Sequence, residues 1–347
     1  MKALQLVKWK TAPELREVPE PEPGPGELVI RVGAAGACGS DLHLIDEWDS
    51  STLNNVEPPF TLGHENAGWI DSLGVGVTGF EVGQPVAVYG PWGCGTCKNC
   101  RRSMENYCLN LANLKAWGGG LGFNGGMAEK FLVPSSRLVV PLGDLEPIKA
   151  APLSDAGLTP YHAIKRSLHL LGAGSSVVVI GAGGGLGHMA VQILRAMTPA
   201  NVIAVDTRES GLKLAKDHGA HHGVLSGDDA AAEILGLTGG NGAEVVLDLV
   251  GANPTLKLAA ECVGLGGNLT IVGIAGGTLP VSYFSQKFEV SIATTYWGSV
   301  LELMEVLALA ERGLINAEIT QFTLEEAPTM YDKLRAGKIV GRAVVVP

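Results

Sequence analysis

The sequence predicts an α/β protein of two domains, one rich in β-strands and one built on a doubly wound parallel sheet. Three observations carry this prediction. The chain has 347 residues, more than one ordinary hydrophobic core encloses. Up to about residue 150, short strand patterns are separated by Pro and Gly clusters. From about residue 151, strand and helix patterns alternate.

The first 150 residues are predicted to be rich in short strands. Strand candidates cover residues 28–32, 67–71 and 86–89, where apolar side chains are frequent. A Pro- and Gly-rich run at residues 19–26 lies between two strand candidates. We therefore expect an ordered turn there rather than a disordered linker.

The second part of the chain alternates β and α patterns, which is typical of a parallel sheet with helices on both faces. Residues 177–180 form a continuous apolar run, as expected for a strand buried on both faces. A helix is predicted over residues 187–197. Further strands are predicted at residues 201–206, 245–249 and 268–272, with mixed helix and strand after about residue 293.

Composition limits the partners that the chain is expected to have. A formal net charge of -10 argues against a nucleic-acid or anionic membrane surface. The sequence contains no run of about 20 apolar residues, so no transmembrane helix is predicted. Residues 1–8 alternate like a strand and lack the long apolar core of a signal peptide. We expect a cytoplasmic protein whose partner is a small molecule.

Four of the six cysteines, Cys94, Cys97, Cys100 and Cys108, lie within fifteen residues. Their C-x2-C-x2-C-x7-C spacing lets a short loop wrap one ion, and four thiolates suit a closed tetrahedral zinc site. Disulfides are the main alternative. An iron–sulfur cluster is another, although the Cys-Pro of the bacterial ferredoxin run is missing. The remaining cysteine, Cys262, is interpreted as a buried structural thiol.

A glycine-rich turn follows the predicted strand at residues 177–180 and opens the predicted helix. Glycines there allow a tight turn and a close approach of the backbone to a pyrophosphate, whose charge the helix N-terminus attracts. The turn departs from G-x-G-x-x-G by one residue, because Leu186 occupies the place of the last glycine. The candidate nucleotide-binding residues of the turn are Gly181, Gly183, Gly184, Gly185, Leu186 and Gly187.

Asp206 ends the next predicted strand, 19 residues after Gly187. A carboxylate at this place binds the hydroxyls of an adenosine ribose and repels a 2′-phosphate, so NAD is favoured over NADP. Arg208 is the opposing signal, since a nearby arginine holds that phosphate. The alternative role for Asp206 is a helix N-cap without a ligand.

Several short motifs, taken together, resemble the medium-chain zinc-dependent alcohol dehydrogenases. They are Cys38-Gly39-Ser40-Asp41-Leu42-His43, Gly63-His64-Glu65, Asp155, the glycine turn and the four-cysteine loop, and the resemblance covers the whole chain. It implies a GroES-like catalytic domain over residues 1–152 and 293–347, with a Rossmann domain over residues 153–292. It also implies reversible hydride transfer between a primary or secondary alcohol and NAD, one catalytic and one structural zinc ion per chain, and a homo-dimer or tetramer.

A zinc ion that does chemistry needs three protein ligands and one open position. The resemblance implies Cys38, His64 and Asp155, because the third ligand of the family is usually Cys or Asp at this place. Glu65, next to His64, is a candidate to replace or join these ligands. Asp41 is expected to accept a hydrogen bond from the far N–H of His64, with a turn or helix cap as its alternative role.

The resemblance also implies a proton relay, and the aromatic residues of the chain suggest a substrate cleft. Ser40 is expected to take the proton of the substrate, and His43, whose ordinary pKa is near 6.5, to pass it towards solvent. Three aromatic residues are expected to wall the cleft and favour apolar or aromatic substrates, with plain packing as the alternative. They are Trp92, Tyr296 and Trp297.

Gly39 is the departure from the family pattern. Many members carry His or Arg at this position, where the side chain contacts the pyrophosphate, and glycine supplies no such charge. The Cys-Gly-Ser-Asp motif also resembles a different branch of the superfamily. A polyol, butanediol or threonine-type dehydrogenase is therefore the alternative function. A zinc-free quinone reductase is a further alternative, but it would lack Cys38, His64 and the four-cysteine loop.

Overall fold

The computed structural model describes all 347 residues of the chain, which fold into two compact units. The first unit comprises Met1–Leu158, Trp297–Glu311 and Ala317–Pro347. The second unit comprises Thr159–Tyr296 and Arg312–Asn316. Asp155 therefore belongs to the first unit, together with Cys38 and His64.

Eighteen strands and nine α-helices make up the two units. The strands are β1 (Lys2–Leu6), β2 (Glu14–Glu17), β3 (Leu28–Ala37), β4 (Phe60–Thr61), β5 (Glu65–Leu73), β6 (Pro85–Val88), β7 (Gly118–Gly119), β8 (Gly122–Phe123), β9 (Lys130–Val133), β10 (Val139–Pro141), β11 (Ser176–Ile180), β12 (Asn201–Asp206), β13 (His222–Leu225), β14 (Ala243–Asp248), β15 (Val263–Ile271), β16 (Ser291–Thr294), β17 (Ile319–Thr323) and β18 (Arg342–Val346). The helices are α1 (Gly39–Asp46), α2 (Pro147–Ala150), α3 (Leu158–Ser167), α4 (Gly187–Met197), α5 (Glu209–Asp217), α6 (Ala230–Leu237), α7 (Asn253–Cys262), α8 (Val300–Glu311) and α9 (Ala327–Arg335).

A seven-stranded sheet forms the centre of the first unit and brings distant parts of the chain together. Its order is β10-β6-β5-β3-β18-β17, and β9 also pairs with β3. The end of β3 lies between β5 and β18, because Gly36 is opposite Glu65 and Ala37 is opposite Ala343. The residues that follow β3 and the first residues of β5 and β18 therefore meet at one end of the sheet.

The second unit contains a six-stranded sheet of order β13-β12-β11-β14-β15-β16, in which every neighbouring pair is parallel. Counted from β11, this is the 3-2-1-4-5-6 order of a doubly wound dinucleotide-binding fold. Its core contains Val178, Ile203 and Val246, none of which is accessible to solvent. All five residues of β11 are buried, as a strand covered on both faces requires. The α/β fold class is confirmed.

The predicted elements are present with shifted ends. The candidates at residues 28–32 and 67–71 extend to Leu28–Ala37 and Glu65–Leu73, whereas the helix at residues 187–197 has the predicted bounds. The mixed pattern after residue 293 corresponds to α8, β17, α9 and β18. None of the helices is both long enough and apolar enough to cross a membrane.

Candidate metal centre and nucleotide turn

Cys38 lies where β3 ends and α1 begins. Its backbone is extended, so it caps the helix, and its N–H donates a 2.9 Å hydrogen bond to Asp41 Oδ2. The Asp41 N–H donates in return to the Cys38 carbonyl at 3.1 Å. This reciprocal pair satisfies backbone groups that a helix start leaves without partners. It fixes Cys38 and Asp41 relative to each other.

His64 is held in a buried turn between β4 and β5. Gly63, the residue before it, has a φ of +94°, a conformation that favours glycine. A Cβ at Gly63 would come within 2.8 Å of the Met127 backbone nitrogen and Cγ. Gly63 therefore lets the chain turn closely over Met127 and place the His64 imidazole inside the unit.

Four buried side chains converge at this end of the sheet. The ligand atoms of Cys38, His64, Glu65 and Asp155 all lie within 4.8 Å of one another, and His64 Nε2 is 3.7 Å from Asp155 Oδ2. Ligand atoms of a tetrahedral zinc ion lie roughly 3.3–3.8 Å apart, given bonds of about 2.0–2.3 Å. A thiol, an imidazole and carboxylates are the donors of catalytic zinc sites, so these residues fit the ion.

Asp41 contacts His64 on the other side of the imidazole ring. Asp41 Oδ1 lies 3.0 Å from His64 Nδ1, and both side chains are fully buried. The ring N–H does not point along this line, so neither atom completes a well-aligned hydrogen bond. His64 Nε2, the nitrogen that faces Asp155, is left as the atom available to a metal ion.

Arg342 is the functional residue that the sequence analysis missed. Its guanidinium donates to both oxygens of Glu65, with Nε at 2.9 Å from Oε2 and Nη2 bonded to Oε1. Nη2 also lies 3.5 Å from Asp155 Oδ2, and the Ala156 N–H donates to Glu65 Oε1 at 3.1 Å. Glu65 is thus hydrogen-bonded at both oxygens. A lone arginine at the start of the apolar strand Arg342–Val346 was the available signal, since a buried arginine requires a partner.

The buried charges shift one another's protonation. Burial raises the pKa of Glu65 to about 7, and the Arg342 guanidinium acts in the opposite direction. Burial lowers the pKa of His64, but the Asp41 carboxylate, with Asp155 and Cys38, raises this pKa well above its ordinary value. The negative groups around His64 therefore stabilise a positive charge at this position. A divalent cation would be stabilised in the same way.

The two residues of the predicted proton relay, Ser40 and His43, have different surroundings. Ser40 Oγ lies 3.3 Å from His64 Nε2, at the candidate metal centre. His43, one turn further along α1, has its Nδ1 2.9 Å from Glu47 Oε2, and its side chain is partly exposed. Ser40 therefore contacts a candidate ligand, whereas His43 is partly exposed and paired with Glu47.

The three predicted pocket aromatics also differ in position. Trp297 packs edge-on against the His64 ring, with centroids 5.6 Å apart, and its Nε1 donates to the Ser154 carbonyl at 3.2 Å. Trp92 is buried, and its Nε1 donates to the Tyr89 carbonyl at 2.9 Å. Tyr296 is the last residue of the main segment of the second unit. Of the three, Trp297 is the one shown against a candidate ligand.

The four-cysteine loop forms a second cluster in the first unit. All six cysteines of the chain are free thiols, and the sulfurs of Cys94, Cys97, Cys100 and Cys108 lie within 4.8 Å of one another. Cys100 Sγ is 3.5 Å from Cys97 Sγ and 4.0 Å from Cys94 Sγ. A ZnS4 tetrahedron has edges of about 3.8 Å, so the loop fits zinc and disulfides are absent.

Hydrogen bonds stabilise thiolates in this loop. The Thr96 hydroxyl and the Cys97 N–H donate to Cys94 Sγ, at 3.4 and 3.3 Å. Hydrogen bonds from Thr96 come first among the causes that lower the pKa of Cys94 to about 5. A thiol that ionises easily is a good zinc ligand, because the metal binds the thiolate. Burial acts the other way on Cys100 and Cys108 and raises the pKa of both thiols, so the argument for a closed structural site rests on the positions of the four sulfurs.

The glycine turn of the second unit is shaped by close backbone contacts. Gly181 has a φ of +81°. A Cβ at Gly183 would lie 2.2 Å from Gly211 Cα, and one at Gly187 would lie 2.1 Å from the Gly181 carbonyl oxygen. Any side chain at either position would clash with backbone, so these glycines bring α4 and α5 close to the turn. Gly184, Gly185 and Leu186 complete the turn, with Leu186 at the N-cap of α4.

Asp206 lies at the end of β12, beside the glycine turn. Its buried carboxylate accepts hydrogen bonds from the Gly183 N–H at 2.9 Å and the Arg208 N–H at 3.0 Å. Arg208 Nε is 3.6 Å from Asp206 Oδ1. The Asp206 carboxylate, which favours NAD, and the Arg208 guanidinium, which favours NADP, therefore lie next to each other.

Comparison with known proteins agrees with this architecture. Residues 24–144 match the model of the alcohol dehydrogenase GroES-like domain, and residues 185–312 match that of the zinc-binding dehydrogenases. The chain is 36% identical to the NAD-dependent alcohol dehydrogenase of Sulfurisphaera tokodaii, with 100% of both chains covered. It is 33% identical to the D-arabinose 1-dehydrogenase (NADP(+)) of Saccharolobus solfataricus, over 100% of this chain and 97% of that one. The crystal structure of the alcohol dehydrogenase from Aeropyrum pernix gives a TM-score of 0.92 at 36% identity, with 100% of both chains covered.

The chain belongs to the medium-chain zinc-dependent alcohol dehydrogenase family. The family recognised from the sequence motifs is therefore confirmed. The first matched range contains Cys38, His64 and the four-cysteine loop, and the second contains Asp206. Asp155 and Arg342 lie outside both matched ranges. Their position at the candidate metal centre is therefore known from the structure and not from the family match.

Replacing Arg342 tests how the buried charges of this dehydrogenase are held. Arg342→Met leaves Glu65 and Asp155 buried without their cation, which we expect to cost about 3–5 kcal/mol of unfolding free energy. All six tryptophans lie in the first unit, so urea unfolding followed by tryptophan fluorescence reports on that unit.

The matched control is Arg335→Met, which removes an equally bidentate but exposed arginine from Asp46. Exposed pairs contribute about 0–1 kcal/mol, so a small effect is expected there. The double variant Glu65→Gln/Arg342→Met should recover part of the loss. Equal effects of Arg342→Met and Arg335→Met would contradict this interpretation.

Proposed function

We propose that the protein is a zinc- and NAD-dependent alcohol dehydrogenase, which interconverts a primary or secondary alcohol with its aldehyde or ketone. The convergence of Cys38, His64 and Asp155 in one buried cluster is the observation that carries this proposal. The full-length similarity to alcohol dehydrogenases supports it.

In this proposal the first unit holds two metal ions. Cys38, His64 and Asp155 hold the catalytic zinc, and the four-cysteine loop holds a structural zinc. When bound, the catalytic ion supplies a Lewis acid for the oxygen of the substrate. Glu65 and Arg342 orient Asp155 through their shared hydrogen bonds. Asp41 orients the His64 ring.

The second unit binds the cofactor. The N–H groups of the glycine turn and the start of α4 receive the pyrophosphate, and Asp206 accepts hydrogen bonds from the adenosine ribose. NAD supplies the hydride acceptor. Gly39 adds no charge, and a Cβ at this position would meet no atom within 4 Å. Affinity for NAD therefore rests on the glycine turn and Asp206, and Arg208 would contribute only to binding of NADP. The predicted boundary after residue 152 would put Asp155 in the cofactor domain, whereas Asp155 lies in the first unit. The proposed cofactor domain is therefore the second unit, Thr159–Tyr296 with Arg312–Asn316, and the proposed catalytic domain is the first unit.

Oxidation of an alcohol releases a hydride to the cofactor and a proton to the protein. Ser40 Oγ lies at the metal cluster and accepts the hydroxyl proton while it releases its own hydroxyl proton towards the exit of the relay. His43 carries the proton onward, because its imidazole is partly exposed to solvent and is paired with Glu47. In the reverse direction, the same groups return a proton to the carbonyl oxygen.

The substrate is positioned by Trp297, which packs beside His64, whereas the roles of Trp92 and Tyr296 stay predictions. An indole edge against the metal centre favours apolar or aromatic substrates. A polyol, butanediol or threonine-type dehydrogenase remains the second candidate function. The Cys-Gly-Ser-Asp motif and the similarity to a D-arabinose dehydrogenase favour it.

Activity and metal content test the function together. The wild-type chain should reduce NAD with a panel of alcohols, followed by absorbance of NADH, and should carry about two zinc ions per chain by elemental analysis. Cys38→Ser should abolish activity and leave about one ion. Cys262→Ser is the matched control, because Cys262 is buried in the second unit and is in neither cluster. A wild-type chain that holds a single zinc ion, retained by Cys38→Ser, would refute the proposed catalytic site.

Cofactor choice tests the assignment of Asp206. Asp206→Gly removes the ribose acceptor and its negative charge, so the preference for NAD over NADP should fall by about 10- to 100-fold in kcat/KM. Arg208→Gly is the counterpart, since loss of the guanidinium should reduce NADP use and spare NAD. An Asp206→Gly variant with an unchanged NAD/NADP ratio would remove Asp206 from the cofactor site.

We also propose that the protein is a cytoplasmic homo-oligomer. The reduced four-cysteine loop supports a reducing compartment. A second copy is supported by an apolar surface beside β16, the edge strand of its sheet, since an edge strand pairs readily with another chain. Tyr283, Phe284 and Phe288 expose 76%, 86% and 57% of their surfaces there.

Light scattering of the purified protein tests this surface. Phe284→Ser should shift the mass towards the monomer, because it removes the most exposed aromatic side chain of the patch. Val75→Ser, at a side chain that is 83% exposed in the first unit, is the control and should leave the mass unchanged. A wild-type mass of one chain would exclude the oligomer.

A further inference from the structure

Trp297 has an unusual backbone conformation for a large side chain. Its φ is +48°, and it is the only aromatic residue among the non-glycine residues with a positive φ. Bulky residues are rare in this left-handed region, because their Cβ crowds the backbone. Such a conformation persists only where the surrounding structure fixes it, and it is most frequent at functional sites. The contacts that fix Trp297 are therefore relevant to the function.

The indole of Trp297 lies against the candidate metal centre. Its ring meets the His64 ring edge-on, with centroids 5.6 Å apart. Its Nε1 donates to the carbonyl of Ser154, the residue before the candidate ligand Asp155, at 3.2 Å. The Trp297 side chain is only partly buried. A ring that touches a candidate ligand and remains accessible is placed to contact a substrate as well.

The residues that follow β6, Tyr89 and Gly90, fix this arrangement from one side. Tyr89 is fully buried, and its hydroxyl donates to the carbonyl of Gly298, the residue after Trp297. The Tyr89 carbonyl accepts the Trp92 Nε1–H at 2.9 Å, which anchors the backbone of this segment. A Cβ at Gly90 would lie 3.0 Å from Trp297 Cε2 and Cζ2, so glycine leaves the space that the indole occupies.

The start of helix α8 fixes the chain on the other side of Gly298. The Ser299 N–H donates to Glu302 Oε2 at 2.7 Å, and the Glu302 N–H donates to Ser299 Oγ at 3.2 Å. This reciprocal pair is a capping box, and both side chains are buried. Relaxation of the Trp297 backbone towards a common conformation would move Gly298 away from the phenol and from this cap.

We propose that Tyr89 and Gly90 position Trp297 and thereby set the substrate selectivity of the dehydrogenase. The Tyr89 hydroxyl holds Gly298 and keeps Trp297 in its left-handed conformation, while Gly90 leaves room for the indole beside His64. The ring then forms an apolar wall for the carbon chain or aromatic ring of an alcohol. This role rests on the proposed function, since Tyr89 and Gly90 act on the substrate through Trp297.

The position of Trp297 is measured first, in a way that needs no turnover. Protein labelled with 5-fluorotryptophan gives one fluorine resonance for each of its six tryptophans, and Trp297→Phe identifies the one that belongs to Trp297. Tyr89→Phe removes only the hydroxyl, and this resonance should shift or broaden. Tyr331→Phe is the matched control, because it removes a comparably buried hydroxyl that contacts Met127 Sδ. An unchanged Trp297 resonance in Tyr89→Phe, or an equal change in Tyr331→Phe, would overturn the proposal.

Selectivity is measured next, with NAD and two alcohols of different size, benzyl alcohol and ethanol. Tyr89→Phe should raise the KM for benzyl alcohol by about 10-fold and leave kcat nearly unchanged, because a misplaced indole loses contact with the aromatic ring. Ethanol offers little apolar surface to the indole and should keep its KM. In the Trp297→Ala background, Tyr89→Phe should cause no further change in the ratio of the two kcat/KM values. An equal rise of both KM values, or a full additional effect in that background, would count against the proposed role.

A second variant keeps the test decisive if Tyr89→Phe does not fold. Gly90→Ala places a methyl group 3.0 Å from the indole and displaces the ring without removing the hydroxyl. It should shift the Trp297 resonance and lower the preference for benzyl alcohol over ethanol. An unchanged resonance or an unchanged preference would overturn the proposal. A wild-type chain that oxidises no alcohol would instead refute the proposed function, whereas the fluorine resonances would still decide whether Tyr89 and Gly90 position Trp297.

Discussion

The buried guanidinium of Arg342 is the interaction on which the candidate metal centre depends. It bonds both oxygens of Glu65 and approaches Asp155, so it joins the start of β18 to the start of β5 and to the loop after α2. A guanidinium suits this task because its donors form a planar fork that matches a carboxylate. Without it, two carboxylates would be buried side by side next to a thiol and an imidazole.

The charge balance of the centre explains what it is built to hold. Cys38, Asp41, Glu65 and Asp155 supply acidic groups, whereas Arg342 is the fixed cation among them. The remaining negative charge raises the pKa of His64, despite the opposing effect of its burial. The same negative charge favours a divalent cation between the ligand atoms of Cys38, His64, Glu65 and Asp155. Helix α1, which carries Asp41, is also held from outside the centre, because Arg335 of α9 pairs with Asp46 at the end of α1.

Local motifs were predictable because their residues are close in the sequence. The four-cysteine spacing specified a loop whose sulfurs lie at zinc-compatible distances, and the glycine turn followed a strand and opened a helix as expected. The family and the fold class followed from these motifs and were confirmed. The strand ends were less accurate, since β3 and β5 continue beyond their apolar patterns as neighbouring strands hydrogen-bond to them.

Long-range groups were not predictable in the same way. Trp92 donates its N–H to a backbone carbonyl inside the first unit, and Tyr296 lies in the second unit, positions that the aromatic pattern alone does not reveal. Arg342 stands 277 residues from Glu65 along the chain, so no spacing pattern links the two.

The amino-acid sequence by itself determined the chemistry that this protein carries: its soft and imidazole donors, its glycine turn, and an acidic residue at the end of the strand that follows. These are properties of residue types and short spacings, which survive in any fold that keeps the segments intact. The tertiary structure alone decided which carboxylates and which arginine share a buried site. The reason is physical: antiparallel pairing of β3 with β5 and β18 places segments from both ends of the chain side by side, and burial then makes each charge depend on its neighbours.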